Sequence, residues 1–296
     1  MSRDTPRRPD VPLRADRRRQ KPPSALYAPR RRFGQHFLEP AWVDKLIREI
    51  SPGAGETFLE IGPGRGALTR PLAERARRLV AFEIDHDLAA TLSATAPPHL
   101  TVVDADFLET TIDRLRGLLT AEEWSGPIRV AGNLPYNVAS PILFTLAELV
   151  AAGAPLSDAH VMLQREVADR LVAVPGTKQY GVLTVLIGHT AEAGRVLSLP
   201  PGAFRPAPKV DSAVVRLRFH RPDPPVKSAR IFADLVRAVF TRRRKTLSNA
   251  LLAYRSTVRE LRCAGIDGRR RPETLTIAEF ARLADAFADA DLSARP

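Results

Sequence analysis

The chain is poor in cysteine, in long apolar runs and in any histidine spacing that would hold a metal. Its single cysteine, Cys263, has no partner for an internal disulfide, which suits a reducing compartment. Placed at the end of an expected helix, it reads as a small packing residue rather than a nucleophile. No apolar stretch approaches the roughly 18 residues needed to cross a bilayer. The first residues are charged and proline-rich, without the apolar segment of a secretory signal. A cytoplasmic protein with no membrane partner is therefore expected. His36, His86, His99, His160, His189 and His220 are scattered along the chain, so no metal site is expected. No repeat at solenoid spacing is present, which excludes a repeat array.

Positive charge is abundant. The formal net charge is +12 over 296 residues, which calls for a polyanionic partner, nucleic acid or an acidic membrane surface. Residues 1–32 hold eleven Arg or Lys against Asp4, Asp10 and Asp16, together with six prolines. Such a segment cannot bury enough apolar surface to fold alone. It is expected to be a disordered basic arm, either gripping RNA or simply solvated. Its acids and prolines argue against an organelle transit helix.

From Phe33 the pattern changes. Val43, Leu46, Ile47 and Ile50 have helical spacing. Short apolar runs at Thr57–Ile61, Leu79–Glu83, Leu100–Val103, Ile128–Ala131 and Ala159–Leu163 read as strands, with room for helices between them. Alternation of this kind builds an α/β domain with a mainly parallel sheet, Rossmann-like in layout. Ala213–Phe219 reads as a late strand near the sheet edge. Pro222, Pro224 and Pro225 mark a break, after which only helices are expected. Ile231, Leu235, Val239 and Phe240 form one stripe. Phe280, Leu283, Ala284 and Phe287 form another, opened by a Thr276/Glu279 capping box. The expected division is a catalytic domain over 33–221 and a small all-α, RNA-binding domain over 222–296.

Glu60-Ile61-Gly62-Pro63-Gly64-Arg65-Gly66-Ala67 falls where the first parallel strand turns into a helix. Glycines are needed where backbone turns sharply and approaches a ligand, and the spacing also fits the dinucleotide fingerprint. Glu83, at the end of the next strand, is placed to accept from ribose hydroxyls. The loop by itself suits NAD or S-adenosylmethionine. Glu60 and Asp106 would repel a pyrophosphate but attract an ammonium and a sulfonium, so S-adenosylmethionine is favoured. Plain structural roles compete: Asp106 as a helix N-cap and Glu83 as a solvated strand end.

Asn133-Leu134-Pro135-Tyr136 follows the run from Ile128 to Gly132, at the carboxyl end of an expected parallel strand, where open α/β sheets bind ligands. An Asn amide, backbone carbonyls around a proline and an aromatic face form a pocket for a flat ring carrying an amino group. That is the chemistry of methylating the exocyclic amine of adenine. Asn and Pro are also turn residues, so the tetrapeptide alone is compatible with a plain turn. The basic run Arg242, Arg243, Arg244 and Lys245, near an expected helix end, suits phosphate contact or a solvated face complementing the helix dipole.

Four segments then occur together in order: Phe33-Gly34-Gln35-His36-Phe37-Leu38, Glu60 to Gly66, Asn133 to Tyr136, and Pro201 to Ser212, which reads PGAFRPAPKVDS. The chain resembles the ribosomal RNA adenine dimethyltransferase family, in its housekeeping small-subunit branch, from about Phe33 to Phe287. The resemblance implies S-adenosylmethionine-dependent dimethylation of the N6 amine of two adjacent adenosines in the 3′-terminal hairpin loop of 16S rRNA. It further implies a role in small-subunit biogenesis, with small-subunit rRNA and the immature small ribosomal subunit as partners; a monomer is the default. It places cofactor contacts at His36, Leu38, Gly62, Glu83, Asp106 and Asn133, alongside Glu60 and Gly64 of the glycine loop. Many relatives carry Asn at the position of His36. Catalysis is implied for Asn133, Leu134, Pro135 and Tyr136, with Phe204 at the position that covers the second face of the adenine. The rivals are a large-subunit rRNA adenine methyltransferase of the macrolide-resistance type, an adenine-specific DNA enzyme, a non-catalytic small-subunit assembly factor and an NAD-dependent oxidoreductase.

Overall fold

The computed structural model describes residues 37–252 and 258–293; the basic arm assigned to residues 1–32 and His36 lie outside them. The description opens on a two-residue strand, β1 (Phe37–Leu38), followed by α1 (Pro40–Ile50). Pro40 sits in the first turn, where its missing N–H is not needed, and Val43, Leu46, Ile47 and Ile50 are the buried stripe, as their spacing predicts. The strands β2 (Thr57–Ile61), β3 (Arg78–Glu83), β4 (Leu100–Asp104), β5 (Ile128–Asn133) and β6 (Leu156–Gln164) are connected through α2 (Thr69–Ala73), α3 (His86–Ser93), α4 (Ile112–Gly117), α5 (Ala121–Ser125) and α6 (Ala139–Ala151). Next come α7 (Arg165–Leu171), α8 (Val182–Gly188), β7 (Ala191–Leu199), β8 (Phe204–Arg205) and β9 (Ser212–Phe219).

Seven strands form one sheet in the order β4-β3-β2-β5-β6-β9-β7. The first five are parallel. β9 enters antiparallel between β6 and β7. The chain winds outward from β2 to β4 and then returns to place β5 on the other side of β2, so the switch point lies between β2 and β5. Successive strand residues face opposite layers. Phe58, Leu79 and Ala81 join a core with α1 and α2; Leu59, Val80 and Phe82 join a core with α6. The sheet is covered on both faces, which is why its parallel strands are continuous apolar runs.

The late strand expected at Ala213–Phe219 is present one position from the edge. The edge itself, β7, was not expected. It carries Glu192, Gly194 and Arg195 and shows a mostly half-exposed pattern, so no apolar run announces it. A separate two-stranded pairing of β1 with β8 sets Leu38 opposite Phe204 and draws two distant segments of the motif set together.

After β9 only helices follow among the described residues: α9 (Ala229–Thr241), α10 (Leu247–Leu251), α11 (Val258–Cys263) and α12 (Ile277–Ser293). Thr276 and Glu279 form the expected reciprocal cap, Thr276 N donating to Glu279 Oε2 at 2.8 Å and Glu279 N to Thr276 Oγ1 at 3.2 Å. These helices share their core with α8: Val185 and Leu186 face them, whereas Leu183 and Ile187 face the sheet-side core. Tyr180, fully buried, donates its hydroxyl to Leu275 O at 2.7 Å. The sheet thus ends near residue 219, while the packing of the helical unit reaches back to residue 180. Two expectations need correction. Cys263 ends α11 but is exposed, so it is not a packing residue. Arg243 is not a free phosphate ligand, because its guanidinium donates to Lys178 O at 2.6 Å and Thr177 O at 3.0 Å; Arg242, Arg244 and Lys245 remain exposed. No helix of the described residues is long and apolar enough to cross a membrane.

Candidate active site

The carboxyl ends of β2 and β5 are brought together by glycine. A Cβ on Gly132 would lie 2.6 Å from Ile61 O, inside any tolerable contact, so only glycine lets the two strand ends approach this closely. Gly62 turns the chain out of β2 at φ +71°, a left-handed conformation that favours glycine, and its N–H donates to Phe82 O at 2.9 Å. The loop that follows is then fixed from β3. Glu83 Oε2 accepts from Gly64 N at 2.9 Å and Oε1 from Asp85 N at 3.0 Å.

Both acids beside this loop are buried. Desolvation pushes Glu83 up from the ordinary carboxylate range, and the backbone donors of Asp85, Gly64 and Ile84 work against that shift. Glu60 is 1% exposed and its Oε2 has no hydrogen-bond partner. Burial pushes its carboxyl up to about 8, and the nearby Glu83 adds to the shift. Thr69 opposes it in part, although Thr69 Oγ1 is itself outside hydrogen-bonding geometry, so the opposition is weak. Asp106 has the capping role considered as its alternative, with Oδ1 accepting from Leu108 N at 2.9 Å ahead of the turn Phe107–Glu109.

Asn133 is the last residue of β5, opposite Met162 of β6. Leu134 N donates to Met162 O at 3.2 Å and Val138 N to Pro135 O at 3.1 Å, which makes a tight turn with Leu134 inside and Tyr136 half-buried. The Tyr136 hydroxyl lies 2.6 Å from Ser212 Oγ, and burial raises its pKa.

A cavity of about 350 Å³ opens between these segments. Leu38, Glu60, Gly62, Gly64, Glu83, Asp106, Asn133, Leu134, Pro135 and Tyr136 all line it. The structure does not bring Phe204 to this wall. Its ring is 0% exposed in the core that includes Leu46, Met162 and Val214, because the pairing of β8 with β1 turns it inward. Phe37 of the first motif segment lines the wall as well, and Ile84, Phe107, Val138 and Met162, which no motif marks, help complete it. Isolated apolar residues in an apolar-rich chain carry no signal, but Ile84, 44% exposed directly after Glu83, stands out once the strand end is located. Ser212 closes the PGAFRPAPKVDS segment, in which nothing in the sequence signals its contact with Tyr136.

The cavity suits a ligand with a cationic end. Two buried acids and Asp106 share it, and an unpartnered carboxyl oxygen on its wall calls for a hydrogen-bonding or positively charged group. Beside that end lies a turn with an amide and an aromatic ring. Sheet order and site together define a Rossmann-like methyltransferase. Residues 28–289 match the family model described as ribosomal RNA adenine dimethylase. Curated relatives include the ribosomal RNA small subunit methyltransferase A of Leptothrix cholodnii, 42% identical over 262 residues, covering 88% of this chain and 93% of that protein. The protein of the same name from Xanthomonas euvesicatoria is 44% identical over 270 residues, covering 88% and 98%. Among solved structures, a dimethyladenosine transferase from Plasmodium falciparum aligns with a TM-score of 0.68 at 23% identity, covering 86% of this chain and 98% of that one. The 23S rRNA methyltransferase ErmE aligns with a TM-score of 0.57 at 26% identity, covering 85% and 99%. The chain belongs to the ribosomal RNA adenine dimethylase family.

Proposed function

We propose that this chain dimethylates the N6 amine of two adjacent adenosines in the 3′-terminal hairpin loop of small-subunit rRNA, with S-adenosylmethionine as methyl donor. The observation that carries this reading is the opening of the Asn133–Tyr136 turn onto the same cavity as Glu60, Glu83 and Asp106. The small-subunit substrate is supported by relatives of that name at 42% and 44% identity over most of the chain, against 26% for the large-subunit enzyme. The working partner is the immature small ribosomal subunit in the cytoplasm, met by a monomer, with Arg242, Arg244 and Lys245 as phosphate contacts.

S-adenosylmethionine, when bound, supplies an electrophilic methyl group on a sulfonium that becomes neutral on transfer. Glu83 would accept from ribose hydroxyls and Glu60 would meet the cationic end, with Gly62, Gly64, Leu38 and Asp106 on the same wall; the family resemblance adds His36, which lies outside the described residues. The target adenine leaves its stack to enter the pocket and lies on Tyr136, a contact worth about 1–3 kcal/mol. The Asn133 side-chain oxygen and the Leu134 carbonyl accept the two amine N–H bonds, and Pro135 fixes the turn that presents them. That pairing favours a pyramidal nitrogen and directs its lone pair towards the donor. The methylated amine is acidic enough to lose its proton to water, so positioning and electrostatics do most of the work.

The test is transfer of labelled methyl to unmethylated small subunits, free large-subunit rRNA and adenine-containing DNA, with Asn133→Ala as control. Label on small-subunit adenosines that disappears in the variant supports the proposal. Label confined to large-subunit RNA or DNA overturns the substrate; tight subunit binding without label points to an assembly factor.

A further inference from the structure

Tyr136 is anchored at the far end of its ring. Its hydroxyl lies 2.6 Å from the hydroxyl of Ser212, 76 residues further along the chain and on a different strand. Ser212 is 1% exposed. Its backbone is paired on both sides, with Gln164 of β6 and with Leu199 of β7. Paired on both sides and buried, the backbone of this serine gives its hydroxyl a steady base. Tyr136 is mounted differently. It belongs to the turn after β5, where its ring has rotation about two side-chain torsions to lose. A hydrogen bond at the para position removes most of that freedom without itself occupying a ring face. Phe204 is turned into the core, so the orientation of the adenine depends all the more on Tyr136.

We propose that Ser212 is a positioning residue for methyl transfer: its hydroxyl sets the plane of the Tyr136 ring, and through that ring the direction of the stacked amine. This rests on the function proposed above. Ser212 is not on the cavity wall, so it acts on the rate through Tyr136 and leaves donor affinity alone. Small errors of angle at a reacting nitrogen are expensive in rate, which gives one hydroxyl far from the transferred methyl a measurable effect. The arrangement also gives the serine of the PGAFRPAPKVDS segment a task that its position in sequence does not reveal.

The experiment is a double-mutant cycle. Ser212→Ala, Tyr136→Phe, the double variant and Ser212→Thr are compared in single-turnover methylation of unmethylated small subunits. Affinity for S-adenosylmethionine is measured separately by calorimetry. Each single variant is expected to lose about tenfold or more in rate while donor affinity stays within about twofold of wild type. The double variant should be no slower than the worse single one, because both remove the same hydrogen bond. Ser212→Thr keeps the hydroxyl and should recover most of the rate. Tyr136→Phe leaves β9 untouched, so it reports on the hydrogen bond even if Ser212→Ala folds poorly. The proposal is overturned if Tyr136→Phe runs at the wild-type rate, if the two losses multiply, or if Ser212→Thr is as slow as Ser212→Ala. A wild-type protein that transfers no methyl to small subunits overturns the underlying function and this inference with it. Normal wild-type transfer with multiplicative losses overturns this inference alone.

Discussion

Replacing Glu60 with Gln should make the ligand-free protein more stable relative to wild type as pH rises from 5 to 8. The native carboxyl ionises near 8 against an ordinary value of 4.5. Its folded pKa is raised, so between those two values the native state holds a proton that the unfolded chain has released. Stability of the wild type therefore falls as pH climbs through that window. At about 1.4 kcal/mol per pH unit, the loss by pH 7 is of the order of 3 kcal/mol, and it levels off above pH 8. In a domain of this size that corresponds to a shift of roughly 5–10 °C. A buried Gln introduces its own unpaired amide, so the absolute melting temperatures are less informative than the trend in their difference. The assay is thermal unfolding of both proteins at half-unit pH steps in buffers of matched ionic strength. Parallel curves for the two proteins would refute the reasoning, because they would mean that Glu60 is already ionised and solvated in the native cavity.

Asn133→Ala should lower the single-turnover rate by about 10²–10³-fold, the usual effect of removing one positioned hydrogen-bonding group from a reacting centre, as read by methyl incorporation into small subunits. Gly132→Ala forces a Cβ to within 2.6 Å of Ile61 O; it should destabilise the fold by about 1–3 kcal/mol, seen as a lower urea midpoint with an unchanged slope. The basic run after α9 should split by residue. Arg243→Ala removes two hydrogen bonds to carbonyls and should lower stability by about 1.5–3 kcal/mol. Arg244→Ala should instead weaken RNA binding evenly across sequences and reduce the slope of log affinity against log salt by about one, measured by titration at several salt concentrations.

The strands that line the site were legible because burial on both faces leaves nothing but apolar residues in them. Thr57–Ile61 and Ile128–Gly132 needed no further clue, and the glycines and acids at their ends mark where they stop. Glu60 could be placed at the cavity by charge alone, since an acid at the end of a buried strand is a costly choice. β7 escaped notice because an edge strand exposes one face and can carry Glu192 and Arg195 without penalty. Phe204 and Arg243 could not be resolved, for a shared reason. Whether a phenylalanine faces a cavity or a core, and whether an arginine faces solvent or a carbonyl, is settled by residues far away in the chain: Leu38 of β1 for the first, Thr177 and Lys178 for the second. Asp106 shows that two readings of one residue need not compete, since it caps a turn and lines the cavity at once.

The insertion of β9 between β6 and β7 fixes an order of events during synthesis. The glycine loop, Glu83, Asp106 and the Asn133 turn all belong to the first five parallel strands and are complete in sequence well before residue 212. β6 and β7, in contrast, are not paired with each other in the finished sheet and are joined only through a strand made later than either. Until it arrives, β6 presents an unpaired edge, and the tyrosine of the site has no serine to hold it. A growing chain therefore carries every residue of the acidic wall before it carries Ser212. The last sheet strand to leave the ribosome both closes that edge and finishes the site.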